Sequence, residues 1–149
     1  MIARFALFVM LLCIVHNAAA NHITGGEMYY NYNGIFNGAH QYAVTLKLFM
    51  RCNSGRSFNN PSIVGIFNKS DNVRVRDVTV PLTRTETIRL TDPNKCITDP
   101  PTVCYEVAYY EFTVTLPPSA SGYIITGQVV FRVSNIANLV PGYGNIGAT

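Results

Sequence analysis

The stretch Cys96–Leu116, CITDPPTVCYEVAYYEFTVTL, decides the fold. Up to Tyr109 its apolar side chains fall on odd positions: Val103, Tyr105, Val107 and Tyr109. From Phe112 they fall on even ones: Phe112, Val114 and Leu116. Side chains alternate strictly along a strand, so such a change of phase calls for an extra residue or a change of neighbours. We expect a β-bulge near Tyr110 and Glu111, and burial of both Val107 and Phe112 despite their odd spacing. A long, bent strand of this kind suits a sandwich.

Working outward, other runs read the same way. Gln41–Cys52 alternates cleanly, with Tyr42, Val44, Leu46, Leu48 and Met50 on one face. Ser62–Asn68 is continuously apolar, as expected of a strand covered on both sides. His22–Tyr32 reads as a first strand, with Gly25-Gly26 marking a bulge or a close backbone approach. Asn33–His40 reads as a turn region. Val73–Val80 slips phase at Asp77, which suggests a second bulge. Arg84–Leu90 is short and polar, suited to an edge. Gly122–Ser134 alternates again. The expected fold is all-β, an immunoglobulin-like antiparallel β-sandwich of about seven strands. A closed barrel is the alternative.

The 149-residue chain is long enough for one domain with a full core. Residues 1–20 read differently. A short basic start ending at Arg4 precedes an apolar run of eleven, Phe5–Val15, and the small-x-small triplet Ala18-Ala19-Ala20. Spanning a bilayer takes roughly 20 residues, so this is the pattern of a secretory signal peptide cut after Ala20. The mature domain, 21–149, then holds ten basic and eight acidic side chains, a net charge of +2. That charge and its scattered lysines exclude an electrostatic nucleic-acid surface. The mature sequence has no second apolar run of membrane-spanning length. We therefore expect an exported protein, extracellular or at the cell surface.

Export permits disulfides. Cys96 and Cys104 flank the Pro100-Pro101 bend, and a bridge between them would close about nine residues for roughly 2–3 kcal/mol. Cys52 is the alternative partner for either. Catalytic patterns are weak. The mature chain has two histidines, His22 and His40, and no nucleophile elbow. Glu106 and Glu111 are the one tempting carboxylate pair, but their odd separation puts them on opposite faces of an unbroken strand. We expect no enzyme and no cofactor. Asp92, Asn94 and Asp99 share one loop and are weak calcium candidates, being ordinary turn formers as well. Nine tyrosines offer ligand-stacking candidates, Tyr30 and Tyr110 foremost, since one of two adjacent strand tyrosines must face away from the core.

Four segments carry a resemblance: HITGGEMYY, YAVTLKLFMRCNSG, CITDPPTVCYEVAYYEFTVTLP and GNIGAT. In this order the chain resembles the N-terminal domain of large secreted surface proteins of Bacteroidota. Those are labelled PKD-repeat or gliding-motility-associated proteins with a type IX secretion sorting domain. The resemblance implies delivery through the periplasm to the surface or medium, and it supplies no catalytic residue. The repeats and the sorting domain are missing here, so we expect an N-terminal fragment of a longer protein. The expected role is structural display or adhesion, with a cell-surface protein or polysaccharide as partner. A carbohydrate-binding module using exposed tyrosines is the alternative.

Overall fold

The computed structural model describes residues 23–91 and 96–128. The signal segment, Asp92, Asn94 and everything past Gln128 lie outside the described residues. So does the far part of the expected Gly122–Ser134 strand. What is described is all-β: seven strands in two antiparallel sheets and no helix.

The strands are β1 (Ile23–Phe36), β2 (Ala39–Arg51), β3 (Ser62–Asn68), β4 (Arg74–Val80), β5 (Arg84–Arg89), β6 (Cys104–Leu116) and β7 (Tyr123–Gly127). One sheet runs β1-β2-β6-β5 and the other β4-β3-β7. The constant-type immunoglobulin order puts the first, second, fifth and fourth strands in one sheet. The present order differs by one strand, β4, which lies beside β3 in the smaller sheet.

The hairpin β1–β2 is longer than the sequence suggests. Strand pairing continues past Tyr32 to Phe36↔Ala39, and only Asn37 and Gly38 turn the chain. Both have positive φ, 50° and 75°. That is the mirror-type two-residue turn, whose twist matches the flanking strands and which Asn-Gly favours. The expected turn region, Asn33–His40, is thus mostly strand, with a register shift between Tyr32 and Gly34. At the other end of β1 the shift falls between Ile23 and Gly25. A Cβ on Gly26 would sit 3.0 Å from the Lys47 carbonyl oxygen, so the close approach expected of Gly25-Gly26 is there.

Strand β6 pairs with β2 from Arg51↔Tyr105 to His40↔Leu116 without a shift. The expected bulge at Tyr110 and Glu111 is therefore absent. The phase change has another cause: the central strand is covered on both faces, first by one set of neighbours and then by the other. Ala108, Tyr110, Val114 and Leu116 face the second sheet and are buried, while Val107 and Tyr109 are buried on the opposite face. Val107 is buried as expected; Phe112 is half-buried, and it points the other way. The second expected bulge exists but is displaced. Ile66 pairs with Arg76 and Phe67 with Arg74, which leaves Val75, not Asp77, as the extra residue.

The core lies between the sheets. Leu46, Leu48, Met50, Ala108 and Tyr110 from the larger sheet meet Val64 and Val80 from the smaller. Val44, Val114 and Leu116 meet Ile66 beside them. The loop after β2 closes one end, with Phe58 against the core and the Asn60 side chain accepting the Leu82 amide at 3.0 Å.

Candidate binding surfaces

The disulfide joins Cys52 to Cys104 across a separation of 52 residues. The short Cys96–Cys104 bridge is thereby corrected: Cys104 opens β6 beside the end of β2, and Cys52 follows that end directly. The Cys52 amide also donates to the Cys104 carbonyl at 3.2 Å. Cys96 lies exposed in the preceding loop. Of the calcium candidates only Asp99 is described; it is exposed and has a positive φ of 60°. No group of three or more His, Cys, Asp or Glu side chains gathers among the described residues.

Glu106 and Glu111 are not brought together. The unshifted pairing puts Glu106, half-buried, on the face toward the second sheet and Glu111, exposed, on the other. Tyr110 is also corrected. It is fully buried, and its hydroxyl donates to the Asn59 carbonyl at 2.6 Å. Burial pushes its pKa up to about 12, because the phenolate would lose its water. A ring so placed cannot stack on a ligand.

Two surfaces remain. The first is the outer face of the larger sheet. Directly paired residues share a face, and Glu27, Lys47, Tyr109 and Arg84 form one row across β1, β2, β6 and β5. Lys47 Nζ is 2.6 Å from the Glu27 carboxylate and 5.3 Å from the ring centres of both Tyr29 and Tyr109. The Arg84 guanidinium lies 3.4 Å above the Tyr109 ring and 3.1 Å from Glu86. The Tyr109 hydroxyl donates to Glu86. The Tyr109 hydrogen bond holds the Glu86 carboxyl below its usual range, and the same bond holds the Tyr109 proton on more tightly. Glu27 likewise strengthens the Lys47 ammonium. Glu27 meets Lys47 within the row, and Arg84 is met by the Tyr109 ring and by Glu86 beside the row.

The second is a cleft of about 480 Å³ between the sheets, at the margin where β1 and β7 approach. Its floor is apolar: Met28, Val44, Leu116 and Ile125. Tyr30, Tyr42 and Tyr123 form walls, and His40, Lys69, Ser119 and Ser121 complete the rim. Tyr30, 65 % exposed, meets Tyr42 edge to face at 83°, and Tyr32 is tilted 49° against Tyr42. The Tyr32 hydroxyl is 3.0 Å from His40 Nδ1. Tyr30 thus stands at the cleft as an accessible ring, though not in a flat platform with its neighbours.

Sequence reading missed both surfaces as units. Lys47, Arg84 and Glu86 look like scattered charges until the register sets them side by side. The cleft needs the sheet order, which no local pattern supplies. Comparison of the chain with protein-family models, curated proteins and solved structures finds no match.

Proposed function

We propose that this chain is a non-enzymatic β-sandwich module of a secreted or cell-surface protein, serving display or adhesion. The Cys52–Cys104 bridge carries the reading. Disulfides persist in oxidising compartments outside the cytosol, and the signal-peptide pattern of residues 1–20 points to the same place. The separation of Glu106 from Glu111 supports a non-catalytic role, since glycoside hydrolysis needs two carboxyls on one cleft. The immunoglobulin-like label rests on strand order, and the Bacteroidota surface-protein resemblance on the four motifs named above. No helix among the described residues is long and apolar enough to cross a membrane.

Expression of the full chain in a secreting bacterium tests this. The expected product starts at Asn21 and yields, without reduction, one linked pair of peptides holding Cys52 and Cys104. A product that keeps Met1 in the cytosol, or hydrolysis of glycans or peptides by the purified chain, contradicts the reading. Carbohydrate binding remains as a second reading on one observation, the exposed ring of Tyr30 at the cleft. A glycan array separates it, with a Tyr30→Ala loss of signal as its signature.

A further inference from the structure

The geometry points to the tip of the β1–β2 hairpin as a site that inserts into the surface of a lipid bilayer, with Ile35 and Phe36 at the acyl boundary and tyrosines behind them at headgroup level. This goes beyond the module reading and does not rest on it.

The first ground is that the tip is apolar on both faces. Ile35 pairs with His40, whose partner on the other side is the buried Leu116, so Ile35 points to the inner side. Phe36 pairs with Ala39 and, as the next residue along the strand, points to the outer side. They are 70 % and 58 % exposed. His40↔Leu116 is the last pair between β2 and β6, so the Phe36–Ala39 rung and the Asn37-Gly38 turn project beyond it. Apolar side chains exposed together at a projecting end mark an interaction site. A flat protein partner would cover one of the two and leave the other in water. A stable protein interface also takes about 20–30 residues a side, many more than the end of one hairpin holds. An acyl layer is fluid, surrounds the tip and covers both side chains at once.

The second ground is the spacing behind the tip. Tyr32 pairs with Tyr42, three residues behind Ala39 along β2, or about 10 Å. Its ring leans on Tyr42 and His40. Interfacial elements sink about 5–10 Å into the boundary between headgroups and acyl chains. With Phe36 at that depth, Tyr32 and Tyr42 lie among the headgroups, where a ring with one polar end is favoured. The leading residues, Asn37 and Gly38, bring one uncharged amide and no ionisable group.

Charge selects the kind of bilayer. Residues 28–46 contain no Lys, Arg, Asp or Glu. Two other connections reach this end. Residues 117–122, which follow Leu116, contain none either. The β3–β4 turn, tied to them by the Lys69 amide on the Gly122 carbonyl, carries Lys69 and Asp71, one of each sign. These four residue types thus give the end no net charge, and the driving force is apolar. A zwitterionic bilayer suffices.

The chain has no Trp, so an introduced one reports its own surroundings. The test titrates two chains, each secreted and processed, with phosphatidylcholine vesicles: Phe36→Trp at the tip and Tyr29→Trp on the outer face. Tyr29 pairs with Thr45, six residues behind Ala39 along β2, or about 20 Å. We expect a saturable blue shift of emission from the Phe36→Trp chain and none from the Tyr29→Trp chain. Adding Ile35→Asp should weaken binding at least about tenfold. Ile35 is exposed, so this change tests binding and leaves folding intact. Raising salt to about 1 M, where charges are screened beyond ~3 Å, should leave the shift unchanged. No shift in a folded Phe36→Trp chain, an equal shift with Ile35→Asp, or an equal shift from Tyr29→Trp overturns the proposal. So does binding confined to anionic vesicles and lost in salt. A shift that grows with protein concentration in the absence of vesicles overturns it too, since a second copy would then be the occupant. A chain that is secreted and bridged as expected but ignores vesicles defeats this inference alone and leaves the module reading standing.

Discussion

The two faces of the larger sheet solve the same problem differently. On the outer face an aromatic ring and five charged or aromatic neighbours interlock across four strands, so Tyr109 is buried without a second layer above it. On the inner face apolar side chains are buried by the opposing sheet as far as Met28, and beyond it Tyr30, Tyr32 and Ile35 stand open. A surface that satisfies itself has little left to offer a partner. The difference sets an open, partly apolar cleft against a face whose charges are met within it.

The largest expected effect concerns the bridge that ties the end of β2 to the start of β6 in the sheet both faces share. Cys52→Ser should lower stability by about 4 kcal/mol, the chain-entropy value for closing a loop of this length, as read by urea denaturation. A loss near zero would mean that strand pairing alone sets β2 against β6.

Next comes Tyr110, at the centre of the closed region. Tyr110→Phe leaves the Asn59 carbonyl without its donor and should cost about 1–2 kcal/mol. The raised pKa adds a pH dependence. The folded state holds the Tyr110 proton up to about pH 12, whereas an unfolded tyrosine releases it near 10. Stability is full below the unfolded value and falls between those limits, by at most about 1.4 kcal/mol per pH unit. The Phe variant should lose that part of the alkaline decline.

At the open margin the expectation is the reverse. Tyr30→Ala should change stability by no more than about 0.5 kcal/mol, since the ring is mostly in water already. A cost of 2 kcal/mol or more would show that the margin is closed in solution. The smallest effect belongs to the outer row. In Tyr109→Phe the Glu86 carboxyl loses its phenolic donor and should titrate closer to its ordinary value, measurable by carboxyl-carbon NMR. In the parent chain its depressed pKa favours folding above the unfolded carboxyl range, and that contribution fades as pH falls through the folded value.

Much of this architecture could be read from the residues. The alternation of Tyr42 to Met50 and the apolar run Ser62–Asn68 marked β2 and β3, and the polar Arg84–Leu90 segment marked the edge strand β5. The turn after β1 was legible too, in Asn37-Gly38, but Asn33-Gly34 carries the same dipeptide and obscured which one turns. The misreading of β6 has a physical source. Alternation reports which face is buried only when one face is wet, and Val107 and Tyr109 are dry on the side that faces no second sheet. The bridge was misassigned because nearness in sequence outweighed the register that sets Arg51 opposite Tyr105. Of the two tyrosines singled out, Tyr30 is exposed and Tyr110 is buried.

Adjacent tyrosines in β6 give the most direct test of the account. Tyr109 and Tyr110 point to opposite faces, and an unbroken strand covered on both sides protects both rings. Nitration with tetranitromethane, followed site by site by mass spectrometry, should modify Tyr30 and Tyr32 first and Tyr109 and Tyr110 last. Reaction of either Tyr109 or Tyr110 at the rate of Tyr30 would contradict it, because one face of β6 would then be open.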